Sequence, residues 1–181
     1  MIILSFNYRG VGGAPKKRFL KRLLLSLKSY IILLQKMMCP TETVVKMCSS
    51  WMNSWSFSSV DVEGMPGGLL LGWSPDFKAI SSSVCRTSIS VKLKHKDCSF
   101  DFSVVNIYCP YSDRPSFWED LSSTCILNYP LSVIGGILNF TLSVREVWGP
   151  HPREDRQGGF FHDFLVNHHL VDMEPGKLVP T

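Results

Sequence analysis

The sequence lacks the features that define several large classes of protein. No uninterrupted apolar run approaches the roughly 20 residues of a membrane-spanning helix, so we expect no integral membrane protein. None of the six cysteines forms a C-x-x-C pair, and no secretory signal with a cleavage site precedes them. We therefore expect an intracellular protein that is not secreted, with reduced thiols. Charged residues make up only 19%, but a hydrophobic fraction of 45% is ordinary for a chain that folds.

Acidic residues are also missing from the front of the chain. Eight basic residues precede the first acid, Glu42, and all but Lys36 lie within the first 28 positions: Arg9, Lys16, Lys17, Arg18, Lys21, Arg22 and Lys28. Such a block can contact phosphates, serve as a nuclear-import address or belong to an organelle transit segment. On pattern alone, the commonest explanation is a helix with a solvated basic face.

The hydrophobic periodicity predicts a mixed α/β chain, and its 181 residues favour one domain over 1–181. We predict strands over 2–6, 31–35, 57–62, 68–73, 77–82, 89–94, 100–108 and 131–134. We predict helices over about 16–28, 42–51, 116–127 and 160–170, the third of them starting at a capping box formed by Ser116 and Glu119.

Seven short segments, each weak alone, carry a resemblance through their order. They are S-F-N-Y-R-G-V-G at 5–12, L-L-Q-K at 33–36, G-G-L-L-L-G-W at 67–73, N-I-Y-C-P at 106–110, F-W at 117–118, V-I-G-G-I-L-N at 133–139 and E-D-R-Q-G-G at 154–159. The series resembles the endonuclease domain of plant LINE-type (non-LTR) retrotransposons, within the endonuclease/exonuclease/phosphatase superfamily. That family has S-W-N-x-R-G-L-G, L-L-Q-E, G-G-L-L-L-x-W, N-x-Y-x-P, F-W, I-G-G-D-F-N and E-x-x-x-G-G in the same order.

The resemblance implies a fold and a chemistry. The fold is a two-sheet β-sandwich flanked by helices, and the chemistry is magnesium-dependent hydrolysis of phosphodiesters in DNA, in the nucleus. By this resemblance Asn7 would help to hold the metal, while Tyr108 and Asn139 would steady the phosphate during catalysis. Because the family continues to a late aspartate-histidine pair, we also expect the domain to be C-terminally truncated at Thr181.

Two positions depart from the family in a way that affects chemistry. Lys36 stands where the family has its metal-binding glutamate, and Ile137 where it has the aspartate that activates water. Magnesium prefers oxygen ligands and needs a carboxylate, whereas a lysine 4 Å away repels a cation by about 1 kcal/mol per unit charge in water. Isoleucine cannot accept a proton, and losing a positioned base alone costs ~10²–10⁴ in rate.

Three hypotheses remain open from the sequence. The first is a retrotransposon-derived domain whose hydrolytic activity is lost. The second is an enzyme that still cuts phosphodiesters at a residual or relocated site, where Asn7, Tyr108 and Asn139 would work with Glu63 or Asp61. The third is a non-catalytic nucleic-acid-binding module, whose phosphate contacts would be made by Arg9, Lys16, Lys17 and Lys36.

Overall fold

The computed structural model describes residues 1–10, 12–61, 68–124, 131–147, 149–151 and 153–173. The chain forms two compact units, which are described separately. Unit 1 comprises Met1–Tyr108 and Asn128–Leu138, and unit 2 comprises Cys109–Leu127 and Asn139–Thr181. Whether the two units fold as the single domain expected from the chain length stays a prediction.

Unit 1 contains two four-stranded sheets. The first has the order β1-β2-β4-β3, with β1 at Ile3–Asn7, β2 at Ile31–Gln35, β3 at Ser56–Val60 and β4 at Leu69–Trp73. The second has the order β5-β6-β7-β8, with β5 at Phe77–Cys85, β6 at Ser88–His95, β7 at Asp101–Tyr108 and β8 at Ser132–Ile137. Strands β1 and β2 are parallel, as are β7 and β8, and the other pairs are antiparallel.

The core of unit 1 is apolar on both faces of the first sheet. Along β2, Ile31 and Leu33 pack between the two sheets, while Ile32 and Leu34 pack on the opposite face. Every residue of β2 is buried, which explains its unbroken apolar run. The outer face is covered by helices α1 at Ala14–Ser26 and α2 at Thr41–Ser49, through residues such as Leu24. The predicted two-sheet sandwich flanked by helices is confirmed.

Unit 2 is helical and aromatic. It contains α3 at Arg114–Ser123, a 3-10 turn at Val144–Glu146 and α4 at Gly158–Asn167. The ring of Trp118, which is 1% exposed, lies 5.0 Å from that of Phe161 and 5.1 Å from that of Phe164. No helix in the described part of either unit is long and apolar enough to cross a membrane.

The predicted start of α3 is wrong. The helix begins at Arg114, two residues before Ser116, and no side chain caps it. Pro115 lies in the first turn, where its missing N–H costs nothing, so the helix starts ahead of the expected capping box. The helix ends at Ser123, and 125–127 of the predicted span lie outside the described residues.

Gly136 is required for β8 to pair with β7. Its φ of 128° disfavours any residue with a side chain, and a Cβ built there would lie 2.1 Å from the carbonyl oxygen and 2.8 Å from the nitrogen of Ile107. These are backbone atoms of the neighbouring strand, so they cannot move aside without breaking the ladder.

We expect Gly136→Ala to lower the free energy of unfolding by about 3 kcal/mol or more, because strained backbone and a steric clash combine. Urea titration followed by circular dichroism measures the change. Gly12→Ala is the matched control, since a Cβ at Gly12 meets no atom within 4 Å. Equal stabilities of the two variants would contradict this account of β8.

Candidate functional site

The C-terminal ends of two parallel strand pairs, β1 with β2 and β7 with β8, lie at one end of unit 1. Asn7 ends β1 opposite Gln35, which ends β2, and Tyr108 ends β7 opposite Ile137, which ends β8. The two pairs belong to different sheets, and the side-chain contacts described next bring the sheets together there.

A buried amide network joins the two sheets just below this end. The Gln35 side chain donates a hydrogen bond to Asn106 Oδ1 at 2.8 Å, and Asn106 Nδ2 donates to the carbonyl oxygens of Leu34 at 3.2 Å and Leu70 at 2.9 Å. Gln35 also lies 3.3 Å from the Ser5 hydroxyl. Because Asn106 is fully buried, each of these bonds replaces one with water and fixes the register of the sheets.

Lys36 comes directly after Gln35 in the chain, and its side chain points toward Tyr108. Its ammonium nitrogen lies 5.3 Å from the centroid of the Tyr108 ring, within the range of a cation–π contact. The Lys36 backbone is left-handed, with φ 52°, and its carbonyl oxygen accepts a 2.7 Å hydrogen bond from the N–H of Gly10. The structure thus brings Lys36 and Tyr108 together.

Asn7 offers an oxygen that is not used. Its Oδ1 is buried and accepts no hydrogen bond from any described residue. An orphaned acceptor of this kind normally costs free energy, so it is a place where a donor or a cation would be stabilised. Ile137, the residue across from Tyr108, contributes only a partly buried alkyl side chain.

The donor set at this end of unit 1 does not fit a magnesium ion. It provides one neutral amide oxygen from Asn7, with a positive charge from Lys36 and an alkyl group from Ile137 where the family resemblance implies carboxylates. Among the described residues, no group of three or more His, Cys, Asp or Glu side chains lies close enough together to hold a metal ion. A hard dication needs several oxygen ligands, so no hydrolytic step can be derived through it here.

The N-terminal basic residues are exposed. Arg9 adopts a left-handed backbone with φ 49°, and its carbonyl oxygen accepts a 3.1 Å hydrogen bond from the Lys16 ammonium. Lys17 is exposed on the next position of α1. Their roles in nucleic-acid binding stay predictions.

Of the two carboxylates in the relocated-site hypothesis, the described structure contains only Asp61. Asp61 is exposed and its Oδ1 accepts a 2.9 Å hydrogen bond from the N–H of Thr41 at the start of α2. A carboxylate there stabilises the helix N-terminus. Glu63 lies outside the described residues.

Asn139 belongs to unit 2, where two hydrogen bonds hold it. Its φ is 55°, its Nδ2 donates to the carbonyl oxygen of Cys109, and its own carbonyl oxygen accepts from the Arg114 guanidinium. The catalytic roles of Asn139 and Tyr108 stay predictions.

Arg114 organises unit 2 through contacts that sequence reasoning missed. Its guanidinium forms a bidentate pair with Asp155, at 2.6 and 2.8 Å, and its Nε donates to Gln157 at 2.8 Å. It also lies 4.5 Å from the centroid of the Phe140 ring. The partners are 41 to 43 residues apart in sequence, so no local pattern could reveal them. Gln35 and Asn106, by contrast, lie within two of the family-like motifs, so the sequence did single out their segments.

The same pair perturbs the ionisation of Asp155. Hydrogen bonds from the Arg114 guanidinium hold the pKa of the Asp155 carboxyl below its ordinary value, against the opposing effect of burial, and the N–H of Gln157 adds to the lowering. The side chains of Arg114 and Asp155 are only 18% and 12% exposed. A cavity of about 200 Å³ beside Asp155 contains none of the predicted site residues.

We expect Asp155→Asn to destabilise the protein by about 2 kcal/mol at pH 7, because it leaves a largely buried guanidinium without its counter-ion. A lowered carboxyl pKa stabilises the fold above the unfolded value near 4 and loses that effect as pH falls through the folded value. The deficit, measured by urea unfolding, should therefore shrink between pH 5 and pH 3. Asp120→Asn on the exposed face of α3 is the control. A deficit that is constant with pH would contradict the assignment.

Comparison with solved structures identifies the fold. The endonuclease domain of TRAS1, a telomere-specific non-LTR retrotransposon, matches 99% of this chain and 75% of its own length at 16% identity, with a TM-score of 0.68. An endonuclease/exonuclease/phosphatase from Bacteroides vulgatus matches 77% of this chain and 66% of its own at 14% identity, TM-score 0.62. The catalytic domain of human Nocturnin, with bound sulfate, matches 78% and 64% at 13% identity, TM-score 0.60.

No protein-family model matches the sequence, and no curated protein is similar to it. The chain spans less than two thirds of the length of the Nocturnin and Bacteroides vulgatus chains. At these identities the likeness concerns the fold: two mixed four-stranded sheets flanked by helices, as in the endonuclease/exonuclease/phosphatase proteins.

Proposed function

We propose that this chain is a retrotransposon-derived endonuclease domain, of the plant LINE type, that no longer hydrolyses phosphodiesters with magnesium. The fold likeness to a retrotransposon endonuclease supports the origin. The residues at the ends of β1, β2, β7 and β8 support the loss of activity. A nuclear location follows from the same proposal.

The observation that carries the proposal is the direction of Lys36. Its ammonium group lies over Tyr108, and neither Lys36 nor Asn7 has an acidic partner among the described residues. A magnesium ion bound to Asn7 would therefore meet an uncompensated positive charge, and water there would meet no general base. Reversing both substitutions tests this directly.

We expect the natural chain to show no magnesium-dependent nicking of supercoiled plasmid. Lys36→Glu combined with Ile137→Asp should bind Mn²⁺, a spectroscopic substitute for magnesium, at least about tenfold more tightly than the natural chain. The change in charge next to a dication is the physical reason. Isothermal titration calorimetry and the paramagnetic resonance signal of free Mn²⁺ measure the binding.

The control is Lys78→Glu with Ile80→Asp, which makes the same two replacements on the exposed edge strand β5 and should leave Mn²⁺ binding unchanged. Metal-dependent nicking by the natural chain that Asn7→Ala abolishes would overturn the proposal. Equal Mn²⁺ affinity in the two double variants would also argue against the assigned site.

The second candidate function is metal-independent binding of nucleic acid. The half-buried Lys36, which forms no ion pair with any described residue, favours it, because a phosphate would neutralise its charge. Arg9, Lys16 and Lys17 would add contacts from the exposed N-terminal segment. The partner proposed is DNA or another nucleic acid.

We expect duplex DNA to bind the natural chain with an affinity that falls steeply with salt, since bound phosphates release counter-ions. Lys36→Met should weaken binding severalfold and reduce the log–log salt slope by about 1. Fluorescence anisotropy from 50 to 200 mM salt measures both, with Lys78→Met as the control. Salt-independent or undetectable binding would rule this function out.

A further inference from the structure

Charge is divided unevenly between the front and the rest of the chain. Positions 1 to 41 hold eight of the 19 basic residues and none of the 15 acidic ones, so the remaining positions have 11 basic and 15 acidic residues and a formal charge of −4. The net charge of +4 therefore conceals a strongly basic segment, most of which folds as α1.

Three basic residues of α1 lie away from its buried side. Leu20 and Leu24 are 0% and 3% exposed and pack on the outer face of the first sheet. Arg18, Lys21 and Arg22 are all exposed. Arg18 and Arg22 are one helical turn apart, which puts their side chains roughly 6 Å from one another on one face of the helix. We call Arg18, Lys21 and Arg22 the α1 stripe.

The guanidinium groups of Arg18 and Arg22 are available to bind a ligand. Neither guanidinium has a hydrogen bond or an ion pair with any residue in the described chain, whereas Lys16 is engaged with the carbonyl of Arg9. Lys21 is steadied by the ring of Trp51, whose centroid lies 5.9 Å from its ammonium nitrogen. The nearest acid along the chain, Glu42, is paired with Lys46 at 2.6 Å. The stripe therefore lacks internal counter-ions.

We propose that the α1 stripe binds the phosphate backbone of duplex DNA, as a contact surface separate from Lys36 at the strand ends. This inference rests on the nucleic-acid binding proposed above and specifies where that binding occurs. Arginine suits the role because its planar guanidinium donates two parallel hydrogen bonds to a phosphate. Contacts to phosphates alone read no sequence, so the binding is non-specific in sequence.

The way α1 packs favours DNA over an anionic membrane surface. A helix that lies on a bilayer inserts an apolar face among the lipids. The apolar side of α1 is already buried against the first sheet. Two large apolar side chains of the helix are exposed: Phe19, at 55%, whose ring lies 6.1 Å from that of Phe6, and Leu25, at 51%. What remains available is chiefly charge, which matches a densely anionic polymer.

The test uses the full chain and a fluorescent random-sequence DNA duplex, with anisotropy read from 50 to 200 mM salt. Arg18→Gln with Arg22→Gln should reduce the log–log salt slope by about 2 and weaken binding by tenfold or more at the lowest salt. Arg18→Lys with Arg22→Lys should retain most of the slope. Lys94→Gln with Lys96→Gln, which removes two exposed charges from elsewhere in unit 1, should change it little.

The outcomes separate this inference from the proposed function. Suppose that the natural chain binds DNA, and that Arg18→Gln with Arg22→Gln lowers the salt slope no more than Lys94→Gln with Lys96→Gln does. The α1 stripe is then not the contact surface, although DNA binding stands. If the natural chain binds no DNA, both proposals fail. Binding to vesicles of phosphatidylserine that exceeds binding to DNA, and that Leu25→Ser weakens, would overturn the choice of partner.

Discussion

Unit 1 depends on the hydrogen bond between the side chains of Gln35 and Asn106. Most of the surface where the two sheets face each other is apolar, and apolar packing alone tolerates sliding more readily than directed hydrogen bonds do. Asn106 uses its oxygen and both of its amide hydrogens, on Gln35 in β2 and on backbone carbonyls of β2 and β4. A shift of the sheets by one residue would strand these groups in a dry core, at a cost of about 1–3 kcal/mol each. The bond therefore fixes where the next residues, Lys36 and Tyr108, must lie.

Much of the fold could be predicted because its strands carry their own signals. The unbroken apolar run at Ile31–Leu34 and the alternating pattern near Val91 each specify a strand, and burial in the structure follows those patterns. The start of α3 could not be predicted from its capping pattern, since Pro115 decided it. The contact between Arg114 and Asp155 could not be predicted at all, because it is set by the packing of unit 2.

The candidate site was predictable in membership but not in geometry. The family resemblance selected Asn7, Lys36 and Tyr108, and the structure brings the last two within contact distance. Gln35 and Asn106 hold this end of unit 1 in place, but the sequence motifs that contain them did not indicate that they bond to each other. Their role depends on two strands meeting from different sheets, with 71 residues between them. Sequence separation of that size carries no periodic signal, so the role emerges only once the sheets are assembled.

Lys36 and Ile137 are compatible with the fold because neither belongs to the buried core of unit 1. Lys36 is half-buried, and its contact with Tyr108 compensates part of its desolvation, by about 0.5–1 kcal/mol. Ile137 adds apolar surface at a strand end, beside the sterically fixed Gly136. A carboxylate pair would repel itself without a metal, whereas lysine and isoleucine carry no such penalty. If hydrolysis is lost as proposed, lysine and isoleucine would stabilise this end of unit 1 relative to two carboxylates without a metal, and would leave it with a positive charge.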